Sequence, residues 1–469
     1  MDWTWFGSAG YGQARFAVQH LLALIYLMGF LTAVHQFRPL LGERGLTPVP
    51  RFLAATGFRQ SPSLFHLHYS DRFFAVVAWT GVVLSAAALA GATDVLPLWA
   101  HMAVWAVLWA LYLSIVNIGQ VWYAFGWESL LLEAGFLAVF LGPAQIAAPM
   151  PVMWLLCWLL FRVEFGAGLI KMRGDSCWRD FTALYYHHET QPMPGPLSRA
   201  FHHLPRPLHR VEVAANHFTQ LVVPFGLFAP QPVATAAGLI IVITQLWLMF
   251  SGNFAWLNLI TITLAFAAMD SRALGWIPLP ATTPSPPWHL AAVLALAVLI
   301  VVLSYWPVRN MLGRKQVMNR SFNRFHLGNT YGAFGSITRT RHELVVEGDD
   351  GTGWREYDFK GKPGDVRRRP PQVAPYHLRL DWLMWFCAIS PGYGRTWLPR
   401  FLAALLRNDR QVLKLLRRNP FPERPPERVR IRMFRYRFTT RAQRRETGAW
   451  WVRTPSSELV PPVSLADLG

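Results

Sequence analysis

The densest run of groups able to do chemistry lies in the middle of the chain. It reads Lys171-Met-Arg173-Gly-Asp175-Ser-Cys-Trp178-Arg179-Asp180, then His187-His188-Glu189-Thr190-Gln191-Pro192, then His202-His203, His209, Glu212, Asn216 and His217. Lys171 closes a long apolar stretch. A lysine at such a boundary is partly desolvated, which lowers its proton affinity and suits it to general-base work near neutral pH. The neighbouring Arg173, Asp175 and Asp180 offer a simpler role, an ion pair or a lipid-phosphate contact. Six histidines (His187, His188, His202, His203, His209 and His217) stand with Glu189 and Glu212, and imidazole with carboxylate suits zinc or iron. No HExxH or comparable helical spacing accompanies them, and adjacent histidines point in different directions on a helix or strand. The sequence therefore assigns no metal and no cofactor. It reads the histidines as hydrogen-bonding members of a loop braced by Pro192, Pro194, Pro196 and Pro205, which exclude a continuous helix. Lys171 is the one candidate base. Arg173, Asp175, Trp178, Arg179, Asp180, His187, Glu189, Gln191, His202, His203, His209, Glu212, Asn216 and His217 are candidate partner- or ligand-binding residues.

The elements that must position this loop are greasy. Of 469 residues, 53% are hydrophobic, 14% aromatic and only 15% charged, against roughly a quarter charged in soluble chains. Apolar runs at Phe16–Phe37, Phe73–Ala92, Pro97–Ile118, Leu130–Ala148, Val152–Met172, Val233–Phe250, Phe254–Met269 and Trp288–Trp306 read as spans of a ~30 Å hydrocarbon core. Phe218–Phe228 is too short for a span and reads as a half-span or an interfacial helix, for a total of eight or nine. The expected fold is a polytopic α-helical bundle, because backbone groups in lipid must be satisfied within each segment. The first run is too long for a signal-peptide core and reads as an uncleaved anchor. Glu133 and Arg162 fall inside spans, where charges must pair or face a cavity, and they are expected to pair across neighbouring helices. Glu164 lies beside them in sequence.

Charge divides the chain. Residues 1–308 carry a net +2 and residues 309–469 a net +17. The expected organisation is a transmembrane domain over 1–308, a basic juxtamembrane linker over 309–330 and a basic C-terminal domain over 331–469. In the last, His342–Gly348 and Trp354–Lys360 read as a hairpin across Asp349-Asp350-Gly351. Trp397–Arg407 and Asp409–Arg418 read as helices. Val429-Arg-Ile431-Arg-Met433 alternates, then the phase slips to Phe434, Tyr436 and Phe438, as at a bulge or bend. The domain is expected to be β-rich and sandwich-like with helical insertions. Its arginines, with Arg309, Arg314, Lys315, Arg320 and Arg324, suit anionic lipid headgroups. No nucleic-acid-binding signature accompanies them. Nucleotide loops, GxSxG and recognisable triads are absent, and Cys157, Cys177 and Cys387 form no CxxC. Arginine, alanine and proline bias points to a GC-rich bacterial genome.

Long motifs carry a resemblance. The segments GLIKMRGDSCWRDFTALYYHHETQPMPGPLSRAFHHLP, HRVEVAANHFTQLVVPF and SGNFAWLNL, with LLGERGLTPVPRFL and WESLLLEAGFLAVFLGP upstream, closely resemble the lipase maturation factor family. So do NTYGAFGSITRTRHELVVEGDDGTGWREYDFKGKPGD, RRPPQVAPYHLRLDWLMWF, NPFPERPPERVRIRMFRYRFT and TGAWW downstream. The resemblance runs in consistent order from about residue 40 to 465. It implies an integral membrane protein with a chaperone-like role in the folding and assembly of secreted clients such as homodimeric lipases. In eukaryotes that role is played in the endoplasmic reticulum membrane; a bacterial member would sit in the cytoplasmic membrane. More faintly, GAGLIKMRGDSCW resembles the membrane domains of vitamin K-dependent carboxylase-like proteins, which implies an alternative: a membrane enzyme on a lipid or quinone-type substrate with Lys171 as base.

Overall fold

The computed structural model describes residues 5–468. Its main helices are α1 (Gly12–Leu41), α2 (Asp71–Leu89), α3 (Leu98–Ile118), α4 (Gly126–Ala138), α5 (Met150–Arg173), α6 (Leu184–Thr190), α7 (Arg206–Leu221), α8 (Val233–Ser251), α9 (Leu257–Ala265), α10 (Pro287–Leu303), α11 (Arg379–Ile389) and α12 (Leu398–Leu406). Six of them, α1, α2, α3, α5, α8 and α10, are long and apolar enough to cross a membrane, the last running on to Leu312. α8 and α10 leave Ile243, Val298 and Val301 each about two-thirds exposed (67%, 65% and 68%), an apolar face that belongs against hydrocarbon.

Two of the expected spans are shorter than the sequence reading. Leu130–Ala148 is the 13-residue α4, ended by a loop that turns at Gly142 (φ +71°) and Pro143. Phe254–Met269 is the nine-residue α9, prolonged by one 3-10 turn to Ala268. At 1.5 Å per residue α4 rises only about 20 Å, less than a ~30 Å core. Phe218–Phe228 is the end of α7 plus a helical turn at Val223–Gly226. Cys157, Cys177 and Cys387 are buried free thiols.

Contacts define the two ends of the bundle. At one end Gly7 pairs with Pro149, Arg15 donates to the Ala144 carbonyl, His20 meets Asp94, and Gln231 reaches Tyr11 and the Ala268 carbonyl. At the other end Gln36 bonds the His377 carbonyl and the Arg379 amide. There Gln120 reaches Thr47, and Gln191 reaches the Ser251 carbonyl.

The C-terminal region is built on four antiparallel strands, β1 (Arg341–Asp349), β2 (Trp354–Glu356), β3 (Arg428–Phe438) and β4 (Trp451–Val463), in the order β4-β3-β1-β2. β1 and β2 form the hairpin across Asp349–Trp354. The expected sandwich is replaced by a sheet against helices: Leu344, Val346, Val429 and Ile431 share a core with Leu380, Phe401 and Leu405 of α11 and α12. The phase slip in β3 is not a bulge against β1, since that pairing is unbroken from Arg341↔Tyr436 to Asp349↔Arg428. Instead β3 buries Val429 and Ile431 on one face and Phe434, Tyr436 and Phe438 on the other, where Val345 and Trp451 meet them. The register shifts lie in β4. The expected helix Asp409–Arg418 is a single turn, Arg410–Leu413, followed by strand Leu416–Arg418 against Asp358–Phe359.

Two buried carboxylates tie the halves together. Glu133 on α4 and Arg162 on α5, both essentially unexposed, form an ion pair. Glu133 accepts six hydrogen bonds in all: two from Arg162 and four from the Gly328 amide, the Asn329 amide, the Asn329 side chain and the Tyr331 hydroxyl. Glu128 accepts from Tyr112 on α3 and from Arg379 on α11, the latter at 2.8 Å. Arg379 also lies over the Tyr123 ring at 3.4 Å. Removing one partner of such a pair strands the other. Arg162→Met is therefore expected to destabilise the chain by about 3–5 kcal/mol, whereas Arg424→Met, from a pair exposed by 62% and 60%, is expected to change stability by under about 1 kcal/mol. Thermal unfolding in detergent checks both; equal midpoints for the two variants would contradict the assignment.

Candidate functional site

α5, α7, α8 and α9 enclose a cavity of about 810 Å³, covered by residues 331–336 and by Trp382, Trp385 and Phe386 of α11. Its walls are mostly apolar, with Val163, Ala167, Leu184, Leu208 and Leu257 among them. Its polar groups are few and convergent, the usual composition of a ligand pocket. Asn258 donates to Gln245 at 2.7 Å, and Gln245 donates to Glu164 at 2.7 Å. Lys171 Nζ donates to Asn216 Oδ1 at 3.0 Å and Gln220 Oε1 at 2.7 Å, and sits 4.8 Å from the Trp178 ring centroid.

Glycines at the end of α5 allow the cover to pass. A Cβ at Gly166 would stand 2.5 Å from the Tyr331 carbonyl oxygen, and one at Gly174 would stand 2.2 Å from that of Gly335. The 331–335 backbone thus lies directly on α5, and Trp178 Nε1 bonds the Phe334 carbonyl at 2.8 Å. That close approach is made by chain from the far side of the sequence.

Of the residues singled out in the sequence, Glu164, Lys171, Trp178, His187, His188, Glu212 and Asn216 line the cavity. Burial pushes the His187 imidazole down to about 3 and leaves it a neutral wall residue. The others hold the segment in shape, and much of it is helix where a loop is expected from the prolines: His187, His188 and Glu189 lie on α6, and His209, Glu212, Asn216 and His217 on α7, which starts just past Pro205 with Pro207 in its first turn, where a proline is tolerated. Asp175 caps the turn after α5 and pairs with Arg339 at 2.8 Å, which holds its carboxyl well below the usual range. Arg179 bonds the Met172 and Gly174 carbonyls, Asp180 accepts from Thr182, and Arg173 reaches Gln316. His217 bonds the Trp178 carbonyl, His203 the Arg199 carbonyl, and His209 the Glu212 carboxylate.

Glu189, Gln191 and His202 face the C-terminal sheet. Glu189 accepts from the Phe438 amide at 2.7 Å and stands 3.5 Å from His202. Gln191 bonds Ser198 and the Ser251 carbonyl. Arg341, fully buried and paired with Glu343, donates to the carbonyls of Glu189, Gln191 and Pro192. Asn253 completes the clamp: its amide nitrogen donates to the Pro194 and Pro371 carbonyls, and its oxygen accepts from the Val373 and Ala374 amides. The sequence reading passed over Gln220, Gln245, Asn258 and Tyr331 at the cavity. Gln245 and Asn258 were findable, since each is an amide inside an apolar run. Tyr331 carries no such signal.

The comparisons with known proteins agree with this architecture. The model of the lipase maturation factor transmembrane domain matches residues 13–276, and that of the lipase maturation factor C-terminal domain matches residues 327–461. Bovine lipase maturation factor 1 is 40% identical, covering 97% of this chain and 89% of the relative. The human lipase maturation factor 1 is 39% identical, over 97% and 88%. Human lipase maturation factor 2 is 29% identical, over 95% and 82%. No solved structure is a significant match. With both halves matched in order and nearly its whole length aligned, the chain belongs to the lipase maturation factor family.

Proposed function

We propose that the chain is a membrane-embedded maturation factor that assists folding or assembly of a secreted, lipase-like client. The observation that carries this is the alignment of 97% of the chain with lipase maturation factor 1, both halves included. The geometry is in keeping with a binding role. The proline-braced loop, the cavity mouth and the C-terminal sheet are clamped into one polar crown at one end of the bundle, rich in the Trp, Arg, Tyr and His common at binding hot spots. The carboxylase-like alternative gains nothing: the ammonium of Lys171 is engaged by two amide oxygens and a ring, and the matched families are not carboxylases. The arginine, alanine and proline bias of the sequence supports a bacterial cytoplasmic membrane as its location, and the arginine-rich run after α10 suits anionic lipid there. Co-expression with a secreted homodimeric lipase tests the reading. Lipase activity per secreted lipase molecule is expected to rise several-fold with the chain, and to fall back with Asn253→Ala at equal membrane level. No gain from the unaltered chain would contradict it.

The end contacts support a nine-pass topology. The chain runs between the Tyr11 end and the Gln36 end along α1, α2, α3, α4, α5, α7, α8, α9 and α10, with α4, α7 and α9 as short helices completed by loop. An odd count puts the two termini on opposite sides of the membrane. Tags at the N- and C-termini are expected to show opposite accessibility to protease in sealed vesicles. Matching accessibility would mean an even count, as six passes alone would give.

A further inference from the structure

The histidines set aside in the sequence meet again in space. His209 and Glu212 lie one turn apart on α7, and His188 comes to them from α6; the donor atoms of the three all lie within 4.8 Å of one another. The expectation that no helical ligand spacing is present is corrected here: His209-Arg-Val-Glu212 is an (i, i+3) pair on one helix face, unmarked until the segment is known to be α7. Its third member is supplied only by the packing of α6 on α7. His188 is 2% exposed, yet among the described residues neither ring nitrogen has a hydrogen-bond partner. Buried polar groups are almost always satisfied, and a buried imidazole with two idle nitrogens is ready for an electron-pair acceptor. His209 Nδ1 already donates to Glu212 Oε2 at 2.9 Å. The other carboxylate oxygen of Glu212 is held by Trp247 Nε1 at 2.8 Å, the kind of outer support that orients a ligating carboxylate.

We propose that His188, His209 and Glu212 bind a divalent first-row transition-metal ion, with zinc or iron(II) the ions that two imidazoles and one carboxylate suit. With metal–ligand bonds of about 2.1 Å, donors in a tetrahedral site stand ~3.4 Å apart, so on binding the ion replaces the proton between His209 and Glu212, that pair opens slightly from 2.9 Å, and His188 draws in from within 4.8 Å. His188 and Glu212 also line the cavity, so the fourth position opens into it, where water or a cavity ligand would complete the shell. The site is independent of the maturation reading, since it rests on these three side chains alone.

The test uses the full chain, purified in detergent without a polyhistidine tag, stripped with chelator, exposed to Zn²⁺ and dialysed. Metal analysis is expected to find about one equivalent per chain, less than a tenth as much in His188→Phe and Glu212→Gln, and an unchanged equivalent in His203→Ala. Absence of stoichiometric zinc in the unaltered chain, or a full equivalent in folded His188→Phe, overturns the site. A measurement free of variants stands beside it: Co²⁺ added to the stripped, unaltered chain is expected to develop the visible absorption of a nitrogen- and oxygen-ligated low-coordinate ion, saturating near one equivalent. No such band overturns the proposal even if the variants misfold.

Discussion

A carboxylate buried in an apolar bundle has to be met by donors on every side, and most of this structure follows from how that demand is filled. Glu133 lies between helices where water cannot reach it. Arg162 supplies the counter-charge, but one guanidinium leaves lone pairs over. The remaining donors come from Gly328, Asn329 and Tyr331, nearly 200 residues further along. Glu128 repeats the solution with Arg379. An uncompensated buried charge costs several kcal/mol, so the segment after the last long helix is drawn into the bundle. The C-terminal region is thereby a wall of the same body.

That attachment builds the cavity. Once Tyr331 is fixed at Glu133, residues 332–335 must run over the end of α5, and Gly166 and Gly174 leave the backbone room to do so. Trp178, Arg341 and Asn253 then fasten the proline-braced loop to the cover and the sheet. A loop that would be mobile in isolation becomes a fixed rim around an apolar space with Lys171 and Glu164 at its polar side.

Much of this was legible in the sequence for definite reasons. The long spans announce themselves by length and apolarity. Glu133 and Arg162 stand out because charges are rare in such runs. The glycines of the Lys171 segment and the prolines of the loop speak through backbone geometry. What stayed hidden depends on tertiary placement. Leu130–Ala148 is as apolar as a full span because its loop is buried in the bundle, so composition does not mark where α4 stops. β3 changes its buried face midway because helices cover one end and Trp451 the other, which in sequence mimics a bulge. Asn329 and Tyr331 sit in a polar stretch with nothing to distinguish them until Glu133 is placed beside them. The approach of His188 to His209 depends on the fold-back of residues 191–205, which hold the short helix Ser198–His202.

The claim that the halves form one body held by buried charge is tested most directly by cutting between them. Arg314 and Lys315 lie in an exposed connection after α10, and a protease site inserted there would sever the chain without touching the buried contacts. Salt screens exposed pairs but reaches buried ones far less. The two pieces are expected to migrate together in detergent gel filtration at low and high salt alike, with the C-terminal piece released only on unfolding. Separation of the cut pieces in mild detergent would contradict the account.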